Sequence, residues 1–157
     1  TFLFHQGPTR GLGDVRFHDY NETYSQFDLP NIEVFKNQIE GFRQLLMRAG
    51  PDERQIRNID YMLSLGELFT LVAYGHLILE KALMDDVDPD LLNQVFDVFV
   101  RDFSVYATGL HGKPGNTDEQ RALILALIQA PVADAEQFEK VWAEQVYAQN
   151  GRYRLAD

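Results

Sequence analysis

The chain has 157 residues, 45% of them hydrophobic, with 24 acidic against 14 basic side chains and a net charge of −10. One domain is expected, large enough to bury roughly two-thirds of its unfolded surface. The acidic balance argues against nucleic acid and against an anionic membrane surface as partners, because both attract excess Lys and Arg, and the absence of cysteine removes disulfides and thiolate chemistry and fits a cytoplasmic location.

Residues 1–28 have no helical period and are punctuated by Gly7, Pro8, Gly11 and Gly13. They read as an extended N-terminal arm or linker from a missing upstream part. No signal peptide is visible, and the chain opens at Thr1 in mid-pattern, which suggests a piece of something longer. Gly11-Leu12-Gly13 touches the start of a nucleotide loop, but Arg16 takes the sixth position and no strand–helix context surrounds it. Turn formation is the better use of these glycines.

Residues 29–157 carry the helical pattern. Pro30 suits the first helical position, and Ile32, Phe35, Ile39, Phe42 and Leu46 follow at helical spacing. Gly50-Pro51 ends this helix, and so short a connection makes the next one run antiparallel to it. That next helix is expected over residues 51–84, about 50 Å long. Met62, Leu65, Phe69, Val72, His76, Leu79 and Leu83 form one stripe on it; Leu68, Leu71, Gly75, Ile78 and Ala82 form a second. A helix apolar on two faces has to be covered from two sides, which puts it at the centre of a bundle. Ser64, Glu67, Thr70 and His76 interrupt its apolar run and oppose a membrane-spanning reading.

Asp86, Asp88, Asp90 and Asp97 fall at ligand positions of a calcium loop, but Leu91 stands where the sharp turn needs Gly and Pro89 lies inside it. The plainer reading makes Asp88 an N-cap, Pro89 the first helical residue and Asp90 a favourable charge at the positive helix end. Leu92, Phe96, Phe99, Phe103, Tyr106 and Leu110 give the third helix an aromatic stripe running to about Gly109. Core packing is its expected use; an acyl-binding groove lined by Phe96, Phe99 and Phe103 would need a roomy pocket against the central helix. After the loop Leu110–Asn116, Thr117 and Gln120 form a capping box. Leu123, Ile124, Leu127 and Ile128 supply the buried face of a fourth helix that stops at Pro131. Asp134 with Gln137 caps a fifth, whose apolar face is Phe138, Val141, Trp142 and Val146 and whose end is Gly151. The fold expected is an all-α helical bundle with a long central helix, three long and two shorter helices in all.

The residues assemble no recognisable chemistry. No Glu is followed by His three residues later, as a di-metal bundle would require. His5, His18, His76 and His111 are scattered without i+4 partners, so zinc is unsupported. Ser25, Ser64 and Ser104 lie in no nucleophile elbow. No catalytic, cofactor-binding or metal residue is assigned. Glu67 and His76 are the two polar groups worth testing, for a buried polar or interface role: His76 as a core histidine bonded to a neighbouring helix, Glu67 on the narrow polar edge with Asp60, Ser64, Thr70, Tyr74 and Lys81.

Three stretches, Arg10–Tyr20, Leu65–Glu80 and Asp97–Pro114, resemble the C-terminal portion of bacterial, especially actinobacterial-type, acyl-CoA dehydrogenase family proteins. The resemblance implies a parent enzyme that holds FAD between helical and β domains and oxidises fatty acyl-CoA thioesters. An active-site carboxylate removes the α-proton while flavin N5 takes the β-hydride. It further implies that this chain is the C-terminal helical domain, non-catalytic by itself and without FAD of its own. Its expected partners are the upstream domains of the same protein and further copies in a homo-oligomer. The family's flavin-contacting segments and catalytic Glu find no matching motif here, so none is carried over. The alternative is a stand-alone helical protein–protein interaction module.

Overall fold

A computed structural model describes residues 20–152, and all the regular structure among them is helical. The elements are α1 (Tyr20–Tyr24), α2 (Pro30–Ala49), α3 (Glu53–Ile56), α4 (Ile59–Asp85), α5 (Pro89–His111), α6 (Asp118–Leu125) and α7 (Ala135–Val141). A π turn at Trp142–Val146 and a 3-10 turn at Tyr147–Gln149 extend α7. The all-helical bundle with three long and two shorter helices is thus present. Single turns α1 and α3 are added to it, and α1 falls at the end of the stretch expected to be irregular.

Local chemistry sets the boundaries. Pro30 opens α2 at the first helical position and Gly50 caps its end. Asp88 opens α5, its carboxylate accepting from the amides of Asp90 and Leu91 at 2.7 and 3.4 Å. Thr117 and Gln120 close a reciprocal capping box at the start of α6, and Asp134 caps α7 through the Gln137 amide at 3.0 Å.

The helix expected over 51–84 is two helices. Asp52 caps α3 in its own capping box with Gln55, and the chain then breaks at Arg57-Asn58. The Asn58 side chain accepts from the amides of Asp60 and Tyr61 and starts α4 afresh. Two strong caps six residues apart outcompete one continuous helix, because each satisfies amides that an uninterrupted run would leave to its neighbours.

Direction follows from paired contacts. Asn31 meets Asn93, Gln38 meets Val100 and Phe42 meets Phe103, so α2 and α5 run parallel. Asp60 meets Lys113 and Tyr74 meets Phe99, so α4 runs against both. The expected antiparallel sense of α2 and α4 is there, but the centre is not α4. Helix α5 packs against α2, α4, α6 and α7, whereas α4 packs against α5, α1 and α3. The aromatic stripe explains why. Phe35 on α2 lies 5.5, 5.4 and 5.7 Å from Phe96, Phe99 and Phe103 by ring centroid, mostly edge to face. Tyr24 of α1 closes the cluster against Phe35 and Phe96. Interlocked rings dominate core energetics, and they fill the space where an acyl groove would have had to open.

Buried amides tie the layers together. The Gln38 amide donates to the carbonyls of Val100 and Leu127 and to the Ser104 hydroxyl. Gln55 and Gln120 form a reciprocal amide pair, and Gln120 also holds the Ala49 carbonyl at the end of α2. Asn31 donates its backbone amide to the Asn93 side-chain oxygen and its side-chain amide to the Asn93 carbonyl, and it exchanges hydrogen bonds with the backbone of Val132.

Candidate functional site

The face of α4 that enters the core carries Tyr61, Ser64, Leu65, Leu68, Gly75, Leu79 and Ala82. Gly75 is there for space: a Cβ on it would lie 2.8 Å from both the Tyr24 hydroxyl and the Phe35 ring. The other face is not polar. At about 100° per residue, Ile59, Gly66, Thr70, Ala73, Leu77 and Met84 fall within an arc of about 60° on the side away from α5, with Leu63 and Lys81 on one flank and Met62, Phe69 and Glu80 on the other. Ile59 is 77% exposed, Leu63 64%, Phe69 60%, Leu77 58% and Met84 79%. Solitary exposed apolar residues are ordinary, but a continuous apolar band about 37 Å long is not.

The expectation that α4 is covered on both sides is therefore corrected. Of the first stripe, only Leu65 and Leu79 are buried; Met62, Phe69 and Leu83 face outward. Gly66 has nothing among the described residues within 4 Å of a Cβ built on it. By length and composition α4 also qualifies as a membrane span, yet its inner face is committed to a packed protein core.

Glu67 lies exposed on the flank of this band, on the same side as Asp60, Lys81 and Asp85. His76 lies on the opposite flank, mostly buried, with Nε2 3.1 Å from Glu80 Oε1 one turn along the same helix rather than bonded to a neighbouring one. Its Nδ1 is buried without a hydrogen-bond partner among the described residues. Glu67 and His76 thus sit on opposite edges of one surface and share no site. His5 and His18, with Gly11 and Gly13, lie outside the described residues.

The aspartates of the apparent calcium loop are dispersed. Asp86 takes a left-handed conformation that ends α4, and Asp88 caps α5. Asp90 is bound by Lys140 and Gln137, whose hydrogen bonds hold its carboxyl below the usual range. Asp97 is buried against Arg101 at 2.6 Å. Among the described residues no group of three acidic or histidine side chains is placed to hold a metal.

A second apolar surface lies between α5 and α7. Phe138, Trp142 and Val146, expected to bury the fifth helix, stay about half exposed and wall an open groove of about 330 Å³ over Val95, Val98 and the Asp97–Arg101 pair. Only Val141 of that face is buried, and the helix turns to π geometry at Trp142. Ile128, expected in the buried face of α6, is likewise 38% exposed, since the helix ends at Leu125.

Sequence reading missed the buried amides Asn31, Gln38, Asn93, Gln55 and Gln120. Asn31, Gln38 and Leu45 are seven apart, a row beside the apolar stripe of α2, and that spacing was the available signal. The same drift puts Leu45 rather than Leu46 in the core. Comparison of the chain with protein-family models, with curated proteins and with solved structures finds no match. The likeness to acyl-CoA dehydrogenases accordingly rests on the three quoted stretches alone.

Proposed function

We propose that this chain is a non-catalytic docking domain whose working surface is the outer face of α4. One observation carries the reading: a helix already packed into a core presents a second apolar band along its whole length to solvent. Using about 200 Å² for a large apolar side chain, the exposed fractions leave roughly 800 Å² uncovered, what a standard protein interface takes from each partner. Apolar area on that scale is a liability unless a partner covers it.

A parent enzyme of the flavin-dependent acyl-CoA dehydrogenase kind, cytoplasmic and with FAD held in its upstream domains, is the larger context that the three resembling stretches support. In that context the bundle supplies subunit or domain contacts while the chemistry lies outside it. Two measurements test the proposal at its two levels. A photoreactive phenylalanine analogue at position 77, in the gene's full product in cells, is expected to give protein adducts, while the same group at the exposed Glu139 gives none. No adduct at 77 overturns the docking reading. The full product is expected to purify yellow and to reduce its flavin with an acyl-CoA; a colourless product removes the dehydrogenase context and leaves the docking domain as a stand-alone module.

A further inference from the structure

Resting on the docking reading, we propose that the occupant of the outer α4 face is a second copy of this chain, packed as an antiparallel α4–α4 pair across a two-fold axis near Leu71 and Val72. The arrangement of side-chain sizes along the band points to it. In an antiparallel pair related by two-fold symmetry, residues whose numbers add to a constant face each other. With the axis between Leu71 and Val72, Ile59 faces Met84, Gly66 faces Leu77 and Thr70 faces Ala73. Every central member of the band then finds another member opposite. The smallest residues, Gly66, Thr70 and Ala73, lie around the crossing point, where the backbones come closest, and the large residues lie at the ends, where two crossing helices diverge. Leu77 of each copy enters the space over the partner's Gly66, which nothing among the described residues of the chain itself fills. A glycine at that point in the middle of a 27-residue helix costs about 1 kcal/mol relative to Ala, and a close-packed partner gives it a use.

The area agrees with the arrangement. Roughly 800 Å² from each copy makes a total of about 1,600 Å², the size of a standard stable interface. The flanks are compatible with it too. The symmetry brings the flank bearing Asp60, Glu67 and Lys81 against its own copy, and that of Met62, Phe69 and the His76–Glu80 pair against its own, so Lys81 of one chain lies along the partner's acidic edge and the His76–Glu80 pair stays at the opposite rim.

The test uses the purified 157-residue chain. Sedimentation equilibrium is expected to show a dimer with micromolar or tighter affinity. Leu77→Glu is expected to weaken it at least about 100-fold, since the carboxylate would be buried without a partner, with helicity and melting transition retained because Leu77 is exposed in the single chain. The chain has no cysteine, so introduced ones report geometry directly. Ile59→Cys and Met84→Cys chains, mixed and oxidised, are expected to give a mixed dimer, and each alone none; homodimers from each alone mean a parallel pair and overturn the arrangement. A wild-type chain that stays monomeric at about 100 µM overturns the second copy as occupant, and so does co-sedimentation with phosphatidylcholine vesicles that Leu77→Glu abolishes. In the monomeric case the docking reading survives if adducts from position 77 in cells contain another protein, and falls if there are none.

Discussion

Tyr24 sits beneath α4 with its ring in the aromatic cluster and its hydroxyl over Gly75, buried and without a hydrogen-bond partner among the described residues. Burial pushes the hydroxyl far above its ordinary pKa, the nearby Tyr20 adding to the effect, so it stays neutral. A buried hydroxyl without a partner costs about 1–3 kcal/mol, and Tyr24→Phe keeps the ring while removing that cost. The expected outcome is a higher urea midpoint by about 1 kcal/mol equivalent, read from equilibrium unfolding. Gly75→Ala should do the opposite. Its methyl group meets Tyr24 and Phe35 at 2.8 Å, and overpacking of about 1–3 kcal/mol exceeds the helix-propensity gain. Combining the two substitutions should recover part of the loss, since one of the colliding atoms is gone. Gln38 is a residue of another kind: its amide serves three acceptors on α5 and after α6. Gln38→Ala leaves buried carbonyls unserved and opens a cavity, and is expected to cost about 2–4 kcal/mol in the same measurement.

Helix α4 behaves as two faces with two different jobs, and Gly66 separates them experimentally. In the Leu77→Glu background, where the outer face is left in water, Gly66→Ala should raise stability by up to about 1 kcal/mol, the propensity difference at an exposed helix position. In the wild-type background the added methyl group occupies the space into which Leu77 of the partner packs, so the same substitution should weaken association. Thermal melting of the first pair and sedimentation of the second check the two signs. This is also where the sequence stops being legible. The starts of α2, α5, α6 and α7 could be read off because a cap is local chemistry: Pro30, Asp88, Thr117 and Asp134 act within three residues of themselves. The two-sided apolarity of α4 was legible as well, but its meaning was not, because composition cannot say whether a face is covered by the same chain or by another. The central place of α5 depends on Phe35 and Phe96 meeting across 61 positions, and the buried glutamines depend on partners as distant as Gln55 and Gln120. The break at Asn58 was visible only as a second polar cap ahead of the apolar run. Glu67 and His76 were found because they interrupt a pattern; nothing in that pattern showed that they lie on opposite edges of one surface.

The whole molecule carries a net charge of −10, and two features of its behaviour follow from how those charges are held. Glu40 accepts from Arg43 and Gln44, and these hydrogen bonds lower its pKa from 4.5 to about 2. Asp52 is held low by the amides at the start of α3, and Asp90 by Lys140 and Gln137. Carboxyls depressed in the folded state bind fewer protons than they do unfolded. Their contribution is complete above the unfolded value and is lost as pH falls through the folded one. The urea midpoint is therefore expected to hold down to about pH 4.5 and then fall towards pH 2, with a shallower fall in Glu40→Gln; these groups are exposed, so the slope is modest. Association of two copies responds to the same charge in the opposite sense from an ion-paired interface. Each chain repels the other at long range, while the attraction comes from the uncharged band between Ile59 and Met84. Raising ionic strength from about 0.01 to 0.1 M shortens the screening length from about 30 to 10 Å. That weakens the repulsion between the two acidic bodies and leaves the apolar contact untouched. The dimer dissociation constant should therefore fall as salt rises, and fall again as pH approaches the pI of 4.7, over the range where the fold still holds. An affinity that drops with added salt would mean that the contact is made by charged side chains such as Glu67 and Lys81, and not by the face of α4 between them.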